Sequence, residues 1–156
     1  MRRKTLSVKI GKVFIGSDHS IKTQSMTTAS TMDTDKSVDE AIRIIQAGGK
    51  LVRFTAPNIN EAKNLLNIKN ALVAKGYDDP LVADIHFTPN AALEASKIVE
   101  KVRINPGNYV DKKKFEVKEY DDKSYQDELL KIEEKFIPLI NSCLLYTSPS
   151  PRDMTG

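Results

Sequence analysis

With 156 residues and a net charge of +3, from 24 basic and 21 acidic residues, the chain is long enough for the core of one domain. Its longest basic run is Lys112-Lys113-Lys114, so neither a nucleic acid nor a membrane surface is expected as a partner. No apolar stretch approaches the ~18 residues of a membrane span, and no signal-peptide core follows Arg2-Arg3-Lys4, which predicts a cytoplasmic location.

Residues 6–16 alternate apolar and polar side chains around Gly11, the pattern of a small hairpin ahead of the main fold, acting as a lid or plug. Residues 21–26 read as a first core strand with Gln24, Ser25 and Thr27 at its end, and the Ser/Thr-rich stretch 27–31 as a loop. Ser37 and Glu40 have the spacing of a capping box, and Val38, Ala41, Ile42 and Ile45 follow at helical spacing up to Gly48-Gly49. A second strand over 50–55 carries Arg53 near its carboxyl end. Asn58 and Glu61 then cap a second helix with Ala62, Leu65, Leu66 and Leu72 on its apolar face.

Pro80 introduces a third strand over 81–87, and Thr88-Pro89 opens a third helix that buries Ala92, Ala95, Ile98 and Val99. The fourth strand covers 101–105. Residues 109–123 read as a connection, and Ser124 with Asp127 caps a last helix whose apolar positions are Leu129, Ile132, Phe136 and Ile140 and whose Glu and Lys residues form a solvated face. Strand and helix alternate with short connections, which predicts a parallel α/β architecture. Four such units are half of a β/α (TIM) barrel, whose usual length is about 250 residues. Residues 1–143 are therefore expected to form the amino-terminal half of a barrel. Ser148-Pro149-Ser150-Pro151 removes ladder donors where a fifth strand is needed, so 144–156 reads as a non-native tail resembling cloning sequence.

The third and fourth strands carry charge, which is costly in doubly covered strands unless it is paired or faces a polar cavity. Alternation puts Val82, Asp84 and His86 on one face, with Leu81, Ala83, Ile85 and Phe87 on the other. Arg103 and Asn105 likewise share a face opposite Val102 and Ile104. In parallel α/β folds ligands bind at the carboxyl ends of the strands, where Arg53, Asp84, His86, Arg103 and Asn105 all fall. Two planar, permanently charged guanidiniums suit a phosphate, so the five are read as an anion-binding site. The competing reading makes Arg53 and Asp84 a structural ion pair, with His86 and Asn105 only satisfying backbone groups. No catalytic residue and no metal ligand is assigned. Cys143, the single cysteine, excludes an internal disulfide and any iron-sulfur centre built from several thiolates of this chain.

Gln24-Ser-Met-Thr27, Val52-Arg-Phe-Thr55, Val82-Ala-Asp-Ile-His-Phe87 and Val102-Arg-Ile-Asn-Pro-Gly-Asn108 closely resemble the amino-terminal barrel of the 4-hydroxy-3-methylbut-2-en-1-yl diphosphate synthase family over roughly residues 2–143. Tyr120-Asp121 and Ile132-Glu-Glu-Lys-Phe-Ile-Pro-Leu139 resemble the branch with an extra insert domain. The resemblance implies reductive opening of 2-C-methyl-D-erythritol 2,4-cyclodiphosphate in isoprenoid synthesis, with two electrons from ferredoxin or flavodoxin and a homodimer when full length. It also implies that Arg53 and Arg103 hold the diphosphate while Asp84, His86 and Asn105 contact the substrate. The family's [4Fe-4S] cluster is held by three cysteines and a glutamate of a carboxyl-terminal domain that this chain lacks. Two alternatives stand beside this reading: a related barrel such as a pterin-binding synthase, and a non-enzymatic fragment. A half barrel with open strand edges is expected to be insoluble or molten, and inactive, by itself.

Overall fold

The computed structural model describes residues 3–105, 109, 119 and 121–146, with the side chains of 144–146 left aside. The expected turn over 106–108, most of the connection over 109–123 and residues 147–156 lie outside the described residues.

A two-stranded antiparallel hairpin, β1 (Val8–Ile10) and β2 (Val13–Ile15), comes first. It turns at Gly11, whose φ of +54° favours glycine, and a Cβ there would press on Pro80 and Glu100. Four parallel strands follow in spatial order: β3 (Gln24–Met26), β4 (Leu51–Thr55), β5 (Leu81–Ile85) and β6 (Lys101–Ile104). Helices α1 (Thr34–Gln46), α2 (Ile59–Ala74) and α3 (Pro89–Ser96) connect them in turn, and α4 (Asp122–Tyr146) comes after β6. This is the expected α/β order of four consecutive units. The strands are shorter than expected at both ends: Ile21 is exposed before β3, and His86 and Phe87 lie beyond β5.

Side-chain alternation divides each strand between two environments. Val52, Phe54, Leu81, Ala83 and Ile85 join Val38, Ala41, Ala62, Leu65, Ile68, Ala91, Ala92 and Ala95 in the main core beneath the helices. Leu51 and Val82 face the other way and pack with Ile10 and Ile15 of the hairpin. Lys12 bridges Asp78 and Asp79, which lie just ahead of β5. The hairpin is thus a plug at the amino ends of the strands, not a lid over their carboxyl ends.

The helix boundaries correct the sequence reading in places. The cap of α1 is Asp33, which accepts from Lys36 N, while Ser37 is buried inside the helix and donates to Ser30 O. Glu40 turns instead to the loop after β3, accepting from Thr28 N, Ala29 N and Thr28 Oγ1. Asn58 caps α2 as expected, accepting from Asn60 N and Glu61 N, but Leu66 is exposed and Ile68 takes its place in the core. Thr88 precedes Pro89 without a side-chain cap and donates to Pro57 O. At α4 the amino end is held by Asp121, which accepts from Ser124 N, and the buried positions are Leu139 and Ser142 with Phe136 and Cys143 beside them. Leu129, Ile132 and Ile140 are exposed. The helix continues to Tyr146 and so takes in the first three residues of the expected tail.

Truncating Ile10 removes the hairpin's main apolar anchor. Ile10→Ala is expected to lower the unfolding free energy by about 2–3 kcal/mol and to speed amide exchange across residues 8–15 before the strands of the main sheet, as read by hydrogen-exchange mass spectrometry.

Candidate functional site

The pairing register builds the site. In β4 and β5, Arg53 pairs with Val82 and Thr55 with Asp84, and in β5 and β6 Asp84 pairs with Arg103. The inner face therefore has an apolar lower layer, Leu51 and Val82 against the plug, and a polar upper end containing Arg53, Thr55, Asp84 and Arg103. Four of the five expected site residues meet there. Arg53 Nε donates to Asp84 Oδ2 at 3.0 Å, and its Nη2 donates to the same oxygen. Arg103 Nη1 donates to Asp84 Oδ1 at 3.0 Å. His86 Nε2 lies 3.5 Å from Asp84 Oδ2, with its ring beside that of Phe87. Asn105 follows the last residue of β6 at the same rim and is half-buried.

Burial separates the roles of these groups. The Asp84 side chain is 4% exposed, against 26% for Arg53, 40% for Arg103 and 41% for His86. Burial favours the neutral carboxyl, but the hydrogen bonds and charge of Arg53, then the hydrogen bond of Arg103 and the neighbouring His86, outweigh it and hold Asp84 below the ordinary carboxylate range. The ion pair of the competing sequence reading is present, yet it involves two arginines. Two guanidiniums and one carboxylate sum to one net positive charge, so pairing leaves an excess cation at the rim. Asp84 engages Nε and Nη2 of Arg53 and Nη1 of Arg103, which leaves further N–H donors of both forks for a ligand.

The loop between β3 and α1 is fixed beside this cluster. Thr27 N donates to Arg53 O at 3.0 Å, Thr31 Oγ1 donates to Thr55 O at 2.6 Å, and Asn64 Nδ2 donates to Thr31 O at 2.6 Å. Glu40 holds the middle of the loop, and these hydrogen bonds, led by that from Thr28 N, keep its carboxyl below the ordinary range. Sequence reading missed this role because Ser-x-x-Glu also fits a helix cap. A groove of about 620 Å3 runs along β3 and α1 past Glu40 and Arg43 but does not include Arg53, Asp84 or Arg103. Charge and register mark the site, not the depth of a cavity. Among the described residues no group of three or more His, Cys, Asp or Glu side chains is placed to hold a metal, and no helix is long and apolar enough to cross a membrane.

Neutralising Asp84 strands two guanidiniums against each other. Asp84→Asn is expected to cost about 2–3 kcal/mol of stability at pH 7. Because the folded-state pKa lies below the ordinary value of about 3.9, this stabilisation is complete above that value and is lost as pH falls through the folded-state pKa. Urea denaturation of both proteins across that range should show the gap between them closing as the pH is lowered; a gap that persists or widens would contradict the assignment.

The family model described as the GcpE TIM-barrel domain matches residues 5–134. Among similar proteins, one from Chlamydia abortus is 53% identical over 143 residues, 91% of this chain and 24% of the relative. Relatives from Akkermansia muciniphila and Bacteroides thetaiotaomicron are 52% and 50% identical over 91% of this chain and 24% and 23% of their own lengths. All three are named 4-hydroxy-3-methylbut-2-en-1-yl diphosphate synthase (flavodoxin), and the chain spans about a quarter of the length of each. This match takes the place of the pterin-synthase alternative. Running from the hairpin into α4, it covers every strand that builds the charged rim, and the chain belongs to the GcpE TIM-barrel domain family.

Proposed function

We propose that the chain forms the diphosphate-binding wall of an oxidoreductase that opens 2-C-methyl-D-erythritol 2,4-cyclodiphosphate and reductively removes a hydroxyl, giving 4-hydroxy-3-methylbut-2-enyl diphosphate for isoprenoid synthesis. The observation that carries this reading is the excess positive charge of the Arg53–Asp84–Arg103 cluster at the carboxyl ends of β4, β5 and β6. Relatives named for a diphosphate product support it.

In this reading Arg53 and Arg103 present planar forks to phosphate oxygens, which they match better than point charges would. Asp84 acts as a positioning residue. By holding both forks before the ligand arrives, it reduces the side-chain entropy lost on binding. His86 and Asn105, beside the cluster at the rim, contact the rest of the substrate.

The reducing chemistry would be supplied by a [4Fe-4S] cluster outside these residues, with flavodoxin, the donor in the relatives' names, or ferredoxin as the source of electrons. This chain's residues do not fit that cluster, since Cys143 cannot supply three thiolates. The share of the reaction assigned to these residues is binding and orientation, in a cytoplasmic enzyme.

Arg103→Ala is expected to weaken binding of the cyclic diphosphate by about 1.5–3 kcal/mol, with Arg103→Lys in between because it keeps the charge and loses the fork. Isothermal titration calorimetry on a full-length synthase carrying this half of the barrel checks this, and equal affinity in all three proteins would remove Arg103 from the site.

A further inference from the structure

One neutral side chain stands in the same row as the charges. Thr55 pairs with Asp84 across β4 and β5, and Asp84 pairs with Arg103 across β5 and β6, so the three lie side by side on the inner face. Arg53 is two residues below Thr55 on the same strand and the same face. The Thr55 side chain is half-buried, and among the described residues its hydroxyl makes one contact, an O–H···S approach of 4.0 Å to Met26 Sδ. A thioether is a weak acceptor, easily exchanged for a better one.

The backbone around this hydroxyl is held firmly. Thr55 O accepts from Thr31 Oγ1 at 2.6 Å, and Ala56 N donates to Asp84 O at 3.0 Å. A β-branched side chain on a strand is restricted at χ1, so the hydroxyl has few directions to choose from. The inner face shows what that position would hold without a polar task. One layer below the charges, where the hairpin covers the strands, the residues are Leu51 and Val82.

We propose that Thr55 is a further ligand-binding residue, whose hydroxyl leaves Met26 Sδ and donates to an oxygen of the same diphosphate that Arg53 and Arg103 engage. This assignment rests on the diphosphate reading above. A hydroxyl donor to a phosphate oxygen makes a charge-assisted hydrogen bond without adding a further positive charge to a cluster that already has one in excess.

Thr55→Val keeps the shape and removes the donor, whereas Thr55→Ser keeps the donor. Inorganic pyrophosphate is titrated into a full-length synthase whose barrel carries residues 1–143, into these two variants of it and into Arg103→Ala, with circular dichroism as a check that the fold is unchanged. Thr55→Val is expected to raise the Kd by about tenfold or more, and Thr55→Ser to stay within about twofold of the unsubstituted synthase. If Thr55→Val binds as tightly as the unsubstituted synthase while Arg103→Ala is weakened, Thr55 is not a ligand residue and the diphosphate reading stands. Equal weakening in Val and Ser variants assigns the effect to shape and overturns the inference. Failure of the unsubstituted synthase to bind pyrophosphate, or binding indifferent to Arg103→Ala, overturns the diphosphate reading and this inference together.

Discussion

One buried carboxylate shared between two guanidiniums is the constraint on which the rest of the site depends. Asp84 is the penultimate residue of a strand whose residues are all buried, where a single ionised group costs several kcal/mol unless it is fully compensated. Its two oxygens are satisfied from opposite sides, by β4 through Arg53 and by β6 through Arg103. That requires all three strands to be parallel neighbours in one register. A slip of one residue in β5 would turn Asp84 into the helix-covered core and put Ala83 or Ile85 between the arginines. Fold and site are therefore one condition: the ladder that aligns the strands also assembles the charges.

The inner face is polarised along the strand axis for a related reason. At the amino ends, Ile10 and Ile15 cover Leu51 and Val82, so the lower layer is dry and needs no polar partners. Toward the carboxyl ends the same face carries charged and hydroxyl side chains, while the loop after β3 is fixed by Thr27, Thr31, Asn64 and Glu40 rather than left to close over them. A rigid apolar floor beneath a partly exposed charged rim suits recognition of a charged ligand. The arginines keep their places by packing and pairing, and the ligand meets N–H donors already oriented.

Much of this was legible in the sequence because a charge inside a strand is conspicuous. Asp84 and Arg103 stand out against Val, Ala and Ile, and the period of two fixes which side they share. Helix boundaries were less legible. Ser37 and Glu40 satisfy a capping pattern on paper, but Asp33 starts the helix one turn earlier and Glu40 is drawn to a loop distant in sequence, a tertiary preference that spacing does not encode. In α2 and α4 the apolar pattern is wider than the buried stripe, so Leu66, Leu129, Ile132 and Ile140 keep helical spacing and are nonetheless exposed. Thr55 closes a family-like motif, but neither its residue type nor its spacing gives the hydroxyl a role. A neutral hydroxyl near the end of a strand costs little wherever it points, and only the register against Asp84 and Arg103 singles it out. The reductive chemistry was not legible in these residues either, and came from likeness to a family.

Why the cluster contains an acid at all is a question of balance. Two guanidiniums brought to either side of one small site repel each other, which without a counter-charge would drive their flexible side chains apart and destroy the geometry a diphosphate needs. A single carboxylate beneath them removes most of that repulsion while leaving one positive charge uncancelled. A second acid would cancel the remaining charge and the attraction for an anion with it. Without any acid, the arginines would have to be drawn together by the ligand itself, and part of the binding free energy would be spent on ordering them. Burying Asp84 below its partners, with 4% of its side chain exposed against 26% and 40% for theirs, also keeps its negative charge away from the incoming phosphate. Depth separates the two signs of charge, and that separation lets one ion cluster be both a structural element of the sheet and a receptor for an anion.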